Sequence, residues 1–259
     1  MGYRISHRAE RVLSSVIANG GVALLLLAWH WAARGSLQGI LPSPVDVFWS
    51  LVDNLQTGKF LIDTGMSLLR VLISVGAAMV IGGLLALLPF WFPVLSSTVH
   101  RSIKPVVSSF PSIAWALLAA IWFGASDFSV VFVQTAILLP FCLINVGEGV
   151  RLLNRDMIEM ARSFTGRGDR VLFMVILPLL SPYLLAALRA AYGIGWKIAL
   201  VAELFGSTSG LGYALLRAEM FADTNTVFAV CAIVVLFGIV GDRLVIGPLE
   251  ARFRGTTSL

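Results

Sequence analysis

The polar stretch from Asn154 to Pro178 gathers the side chains best suited to strong contacts. Arg151, Arg155, Arg162, Arg167 and Arg170 lie in it or just before it, and Asp156, Glu159 and Asp169 offset them only in part. Groups of this kind bind, pair and cap; nothing in their order suggests bond-breaking chemistry. A second set of charges, Arg189, Lys197 and Glu203, falls inside an apolar run. Charge within a membrane-length run is costly and so marks function or a specific partner. Arg189, Gly193, Trp196 and Glu203 recur at i, i+4, i+7 and i+14, close to one helix face, with Lys197 off to the side. Arg189, Trp196 and Lys197 are candidates for lining a pathway, where the two cations could meet an anionic solute. The competing reading ties them to another span. For Glu203 a structural bond is favoured. Trp115, four residues after Pro111, is a further pathway or gate candidate, with packing as the alternative.

Several chemistries lack the residues they need. His7, His30 and His100 are far apart, with no H-E-x-x-H and no paired intramembrane carboxylates, so there are no candidate catalytic residues and no metal-ligand set. There is no G-x-x-x-x-G-K-S/T: GRGD at 166–169 lacks the spacing and the lysine, and GSTSGLG at 206–212 is followed by Tyr213. The chain therefore cannot bind and hydrolyse ATP by itself. Cys142 and Cys231 fall in apolar runs and read as inert buried thiols.

The elements that hold these residues follow from composition. Of 259 residues, 58% are apolar and 13% charged, too few charges to cover a soluble fold of this size. The apolar residues come in blocks of about 20, the length that crosses a hydrocarbon core of about 30 Å. An all-α integral membrane protein with six transmembrane helices results, in one domain. The spans fall at about 16–33, 66–92, 106–124, 128–148, 180–204 and 226–246, with a cytoplasmic loop at 150–178. Trp29 and Trp31 anchor the first span, with His30 packed between them; Arg70 is expected to snorkel from the second. Residues 45–56 form a short amphipathic segment with Val45, Phe48, Leu51, Val52 and Leu55 on one face. A polar hinge with His100, Arg101, Lys104 and Pro105 precedes the third span, and Pro140 is expected to kink the fourth.

Basic residues set the orientation. With the N-terminus inside, the inner segments hold thirteen, including the five of the island, and the outer ones hold Arg34, Lys59 and Arg217. That distribution makes a multi-pass inner-membrane protein with both termini cytoplasmic. The net charge of +5 is a product of topology, so nucleic acid is not an expected partner.

Within the loop, Asp156 and Glu159 fit a capping box ahead of a helix at about 157–165, with Gly166 at its C′ position. Met157, Ile158, Met160, Ala161 and Phe164 share helical spacing. Such a helix either lies on the membrane surface or enters a groove on a soluble partner.

Glu159-Met160-Ala161, with Leu177-Pro178 eighteen residues on, resembles the EAA motif of the permease subunits of binding-protein-dependent ABC importers. LPSPVDV (41–47), SLLRV (67–71), FPSIAWALLAAIWFG (110–124), MARSF (160–164), VILP (175–178) and GWKIALVAELFGSTSGLGYAL (195–215) resemble the nitrate, taurine and alkanesulfonate branch. The likeness covers roughly residues 40 to 250. Met160 stands where that family usually has alanine, and Thr165 where it usually has glycine, which here follows as Gly166.

The resemblance implies the architecture of a type I ABC importer permease. Two permease copies, two cytoplasmic ATPase subunits that carry ATP and Mg, and an outer solute-binding protein would complete it, and this chain itself would need no cofactor. The loop would be the coupling helix, with Asp156, Glu159, Met160, Ala161, Arg162, Ser163, Thr165, Gly166 and Pro178 as its working residues. The implied solute is a small anion such as taurine, an alkanesulfonate or nitrate. Two other classes compete: an ion-coupled secondary transporter, which would usually carry an internal repeat that is not evident here, and a membrane scaffold whose basic loop binds lipid head groups.

Overall fold

The computed structural model describes residues 7–35, 41–91, 109–153 and 155–254. The hinge at 100–105, the start of the expected third span and Asn154 lie outside them. Among the described residues every element is a helix. In chain order these are α1 (His7–Gly35), α2 (Pro44–Gln56), α3 (Gly58–Trp91), α4 (Ser112–Phe123), α5 (Asp127–Leu152), α6 (Arg155–Phe164), α7 (Leu177–Gly206), α8 (Leu211–Met220), α9 (Thr224–Gly241) and α10 (Gly247–Arg254).

Apolar length makes the spans. Gly58–Pro89, Asp127–Leu152, Gly168–Gly206 and Thr224–Arg252 are each long and apolar enough to cross a membrane. The third of these enters α7 through a helical turn at Gly168–Val171 and a π-helical turn at Leu172–Ile176. The fourth joins α9 to α10 through a second π turn, Asp242–Ile246. The polar island therefore closes at Arg167: its last eleven residues are already helix. The expected third span is represented by the 12 residues of α4, which begin after Pro111 as N-cap. At 1.5 Å per residue α4 covers about 18 Å, short of a full crossing. α5 continues as one helix through Pro140.

α3, α5 and α7 pack on one another as the centre, and α4 lies against α5 and α7. Close approach of α3 and α5 depends on Gly82, where an added Cβ would sit 2.8 Å from the Cβ of Cys142. Gly76 and Gly83 face open space and serve no such contact. α2 lies along α9. Ser43 caps it reciprocally with Asp46, and that hydrogen bond holds the Asp46 carboxyl below the usual carboxylate range. Its buried face is Val47 with Leu51 beside it, while Val45, Phe48 and Trp49 point outward, so the single apolar face expected from the sequence is two. α1 meets the rest through Trp29, whose indole N–H donates to the Pro42 carbonyl at 3.0 Å and whose ring lies 5.9 Å from that of Phe228.

Candidate functional site

Two regions at opposite ends of α3 hold the polar chemistry. At the end near Leu87, α6 is docked by Ile158, which is buried with Leu87, Val171, Ile176 and Leu180 and has Ala161 packed beside it. Met157, Met160 and Phe164 point the other way, and Phe164 is 81% exposed. The five apolar residues of α6 are thus divided. Two hold the helix to the body, and three form an outward face that no other described part of the chain covers. Glu159, Arg162 and Ser163 are exposed around that face, and the Ser163 hydroxyl donates to the Met160 carbonyl at 2.7 Å.

The cap differs from expectation. α6 starts at Arg155, so Asp156 sits inside its first turn, where a carboxylate meets the positive end of the helix dipole. Gly166 follows the helix but not in the left-handed conformation, which among the described glycines only Gly124 and Gly210 adopt. Beyond it the Thr165 hydroxyl accepts the Arg167 N–H at 3.4 Å, and Arg167 pairs with Asp169 at 3.0 Å. Pro178 lies in the first turn of α7, directly after the π turn.

The opposite end of α3 is tied by a buried ionic knot. Glu203, fully buried near the end of α7, accepts from Arg70 Nη1 at 2.8 Å, from the Gly212 N–H at 2.9 Å and from the Ser67 hydroxyl, 2.8 and 2.7 Å from its two oxygens. Arg70 donates further to Asp127 on α5, and to the Ser209 carbonyl at 2.9 Å and hydroxyl at 2.7 Å. Ser67 accepts the Leu211 N–H and Asp63 the Gly210 N–H, each at 2.8 Å. The loop at 206–212 is thereby fastened to α3, α5 and α7 together. Gly210 has φ +101°, and an added Cβ would come within 2.5 Å of the Glu203 carboxyl; at Gly212 it would meet the Leu200 carbonyl at 2.4 Å.

This corrects one expectation outright: Arg70 does not snorkel but is 2% exposed and saturated by partners on two other helices and a loop. The structural bond expected for Glu203 is there, but its partners on α3 were missed, although Asp63, Ser67, Arg70 and Ser74 stand at i, i+4, i+7 and i+11, a polar line along an otherwise apolar helix.

The four pathway candidates occupy separate surroundings. Trp115 on α4 packs against Phe110 and Phe132. Trp196 is buried and stacks on Phe237 at 5.1 Å. Lys197 is exposed. Arg189 is half-exposed and clasps Asp242 with two hydrogen bonds, at 2.6 and 2.8 Å, and Glu250 with one at 2.9 Å, joining α7 to the π turn after α9 and to α10. Among the described residues no group of three or more histidines, cysteines or acids could hold a metal ion.

Four membrane-length helices, three of them tied together by a buried ionic knot, with a docked amphipathic helix at the far end, define a polytopic membrane protein. Residues 78–246 match the family of inner membrane components of binding-protein-dependent transport systems, and the chain belongs to that family. It is therefore a multi-pass inner-membrane subunit of a transport system, and ATP hydrolysis belongs to a separate subunit. It is 30% identical to the taurine transport system permease protein of Escherichia coli over 84% of this chain and 81% of that one. It is 30% identical to the formylaminopyrimidine transport permease protein of Halalkalibacterium halodurans over 84% and 87% of the two chains. A probable ABC transporter permease protein of Brucella melitensis is 29% identical over 94% of this chain and 96% of its own length.

Proposed function

We propose that two copies of this chain form the translocation pathway of an ATP-driven importer, with two cytoplasmic ATPase subunits below and a solute-binding protein outside. The observation that carries this reading is α6. It presents Met157, Met160 and Phe164 to solvent beside Glu159 and Arg162, on a mount made of Ile158 and Ala161. A helix held by one face and bare on the other fits a groove in a partner. The 150–178 segment, with α6 in it, is the cytoplasmic contact, and the distribution of basic residues supports both chain termini lying on the same side. Closure of the ATPase pair would move α6, and the spans would rearrange between inward-facing and outward-facing states. The solute is a small anion such as taurine, an alkanesulfonate or nitrate, a reading supported by the name of the taurine transport relative; Lys197 on α7 is exposed and Arg189 is already paired with Asp242 and Glu250.

The test is co-purification from detergent extract, tagged wild type beside Glu159→Arg. Recovery of an ATPase subunit with wild type and its loss with the variant supports the importer and the contact together. Recovery with neither sinks both.

A further inference from the structure

Between α2, α3, α8 and α9, at the knot end of the molecule, lies a cavity of about 180 Å³. Lys59 and Asp63 of α3, Arg217 of α8 and Asp223 at the start of α9 line it, with Asn54 and Thr226 between them. Four charged groups, two of each sign, thus surround one small space, yet among the described residues no ion pair joins any of them. Asp63 is the anomaly. It is 5% exposed, and its one hydrogen bond, from the Gly210 N–H, leaves it without a cationic partner. A buried carboxylate with no counter-charge is expensive to keep. Arg70, seven residues along, is already committed to Glu203 and Asp127. Lys59 and Arg217 are exposed and have no carboxylate within salt-bridge distance. The volume is well below the roughly 300–1,000 Å³ of pockets for drug-sized ligands.

We propose that this cavity binds a small zwitterion, with Asp63 and Asp223 taking its ammonium group and Lys59 and Arg217 its acidic group. A molecule with both charges a few atoms apart would meet both signs at once, Asp223 contributing beside the Thr226 N–H it already accepts at 3.1 Å, whereas a simple anion would leave Asp63 without a cation and a bare cation would leave Lys59 and Arg217 without an anion. Occupancy is also felt beyond the cavity, because Asp63 holds Gly210 in the loop that the knot fastens.

The inference rests on the importer reading and narrows its solute to one bearing both charges. The experiment uses the permease–ATPase complex in lipid nanodiscs, without any binding protein, and equilibrium dialysis of radiolabelled taurine and β-alanine. At least one should bind saturably, with ethanesulfonate and ethylamine each displacing it only at concentrations about tenfold or more higher. Asp63→Asn keeps an acceptor for Gly210 and should weaken binding about tenfold or more. Should that variant fail to fold, Lys59→Met and Arg217→Met at exposed positions carry the test and should each weaken binding. Absence of saturable binding in a complex that does contain the ATPase overturns the cavity and leaves the importer standing. Equal binding by ethanesulfonate, or indifference to Lys59→Met and Arg217→Met, overturns it too. A permease that captures no ATPase sinks the importer reading instead, and the same dialysis on the permease alone still decides the cavity.

Discussion

At one end of α3 the buried groups Ser67, Arg70 and Glu203 are matched to partners drawn from α5, α7 and the 206–212 loop, and glycines leave just enough room for the carboxylate between them. At the other end α6 keeps two apolar side chains against the body and offers three to the outside. The contrast separates two tasks. A buried charge network tolerates little displacement, since any lost partner leaves an uncompensated ion in an apolar surrounding. An exposed apolar face costs little to the fold and gains its value from whatever covers it. One end is built to stay together, the other to be taken hold of.

Substitutions should divide along that line. Arg70→Met leaves Glu203 buried without its cation and should cost about 3–5 kcal/mol, read as a collapse of folded yield and of melting temperature in detergent. Adding Glu203→Met should recover part of that loss; if the double variant is no better than the single, the ion pair is not what holds this end. Gly210→Ala combines a left-handed backbone with a Cβ against the Glu203 carboxyl and should cost about 1–3 kcal/mol by the same measure. Phe164→Asp should leave the melting temperature near wild type while capture of the ATPase falls about thirtyfold, as for an interface anchor worth about 2 kcal/mol. A large drop in melting would show α6 to be part of the fold's support rather than a contact. The smallest effect belongs to Gln134, whose two amide atoms are buried without partners on α5. Gln134→Leu should be neutral or stabilising by up to about 1–2 kcal/mol, measured by thermal unfolding.

Legibility in the sequence follows the same division. The long helices could be read from run length alone, because in lipid an apolar block of that size has no other stable form. The α6 helix was visible from its periodicity, yet not which of its apolar residues would be spent on docking; Ile158 is chosen by Leu87 and Leu180, which no local pattern reveals. The start of α3 at Gly58 was hidden by the polar character of Lys59, Asp63, Ser67 and Arg70, which resembles a loop until Glu203, more than a hundred residues away, is brought beside them. Arg189 kept its charge partners out of view for the same reason: Asp242 and Glu250 lie 53 and 61 residues further on. The continuation of α7 back to Gly168 depends on a π turn, whose wider spacing no 3.6-residue period announces.

Gly82, which leaves no room for a side chain against Cys142 of α5, divides α3 unequally. Leu87, which touches the α6 mount, is five residues beyond it, about 8 Å along the axis, and Asp63 is nineteen residues before it, about 28 Å. A stiff helix that tilts about this point is a lever with a short arm at α6 and a long arm at the knot. One ångström at the short arm corresponds to between three and four at the long one, so the knot, which ties the long arm to α5, α7 and the 206–212 loop, would have to travel with its partners as one block.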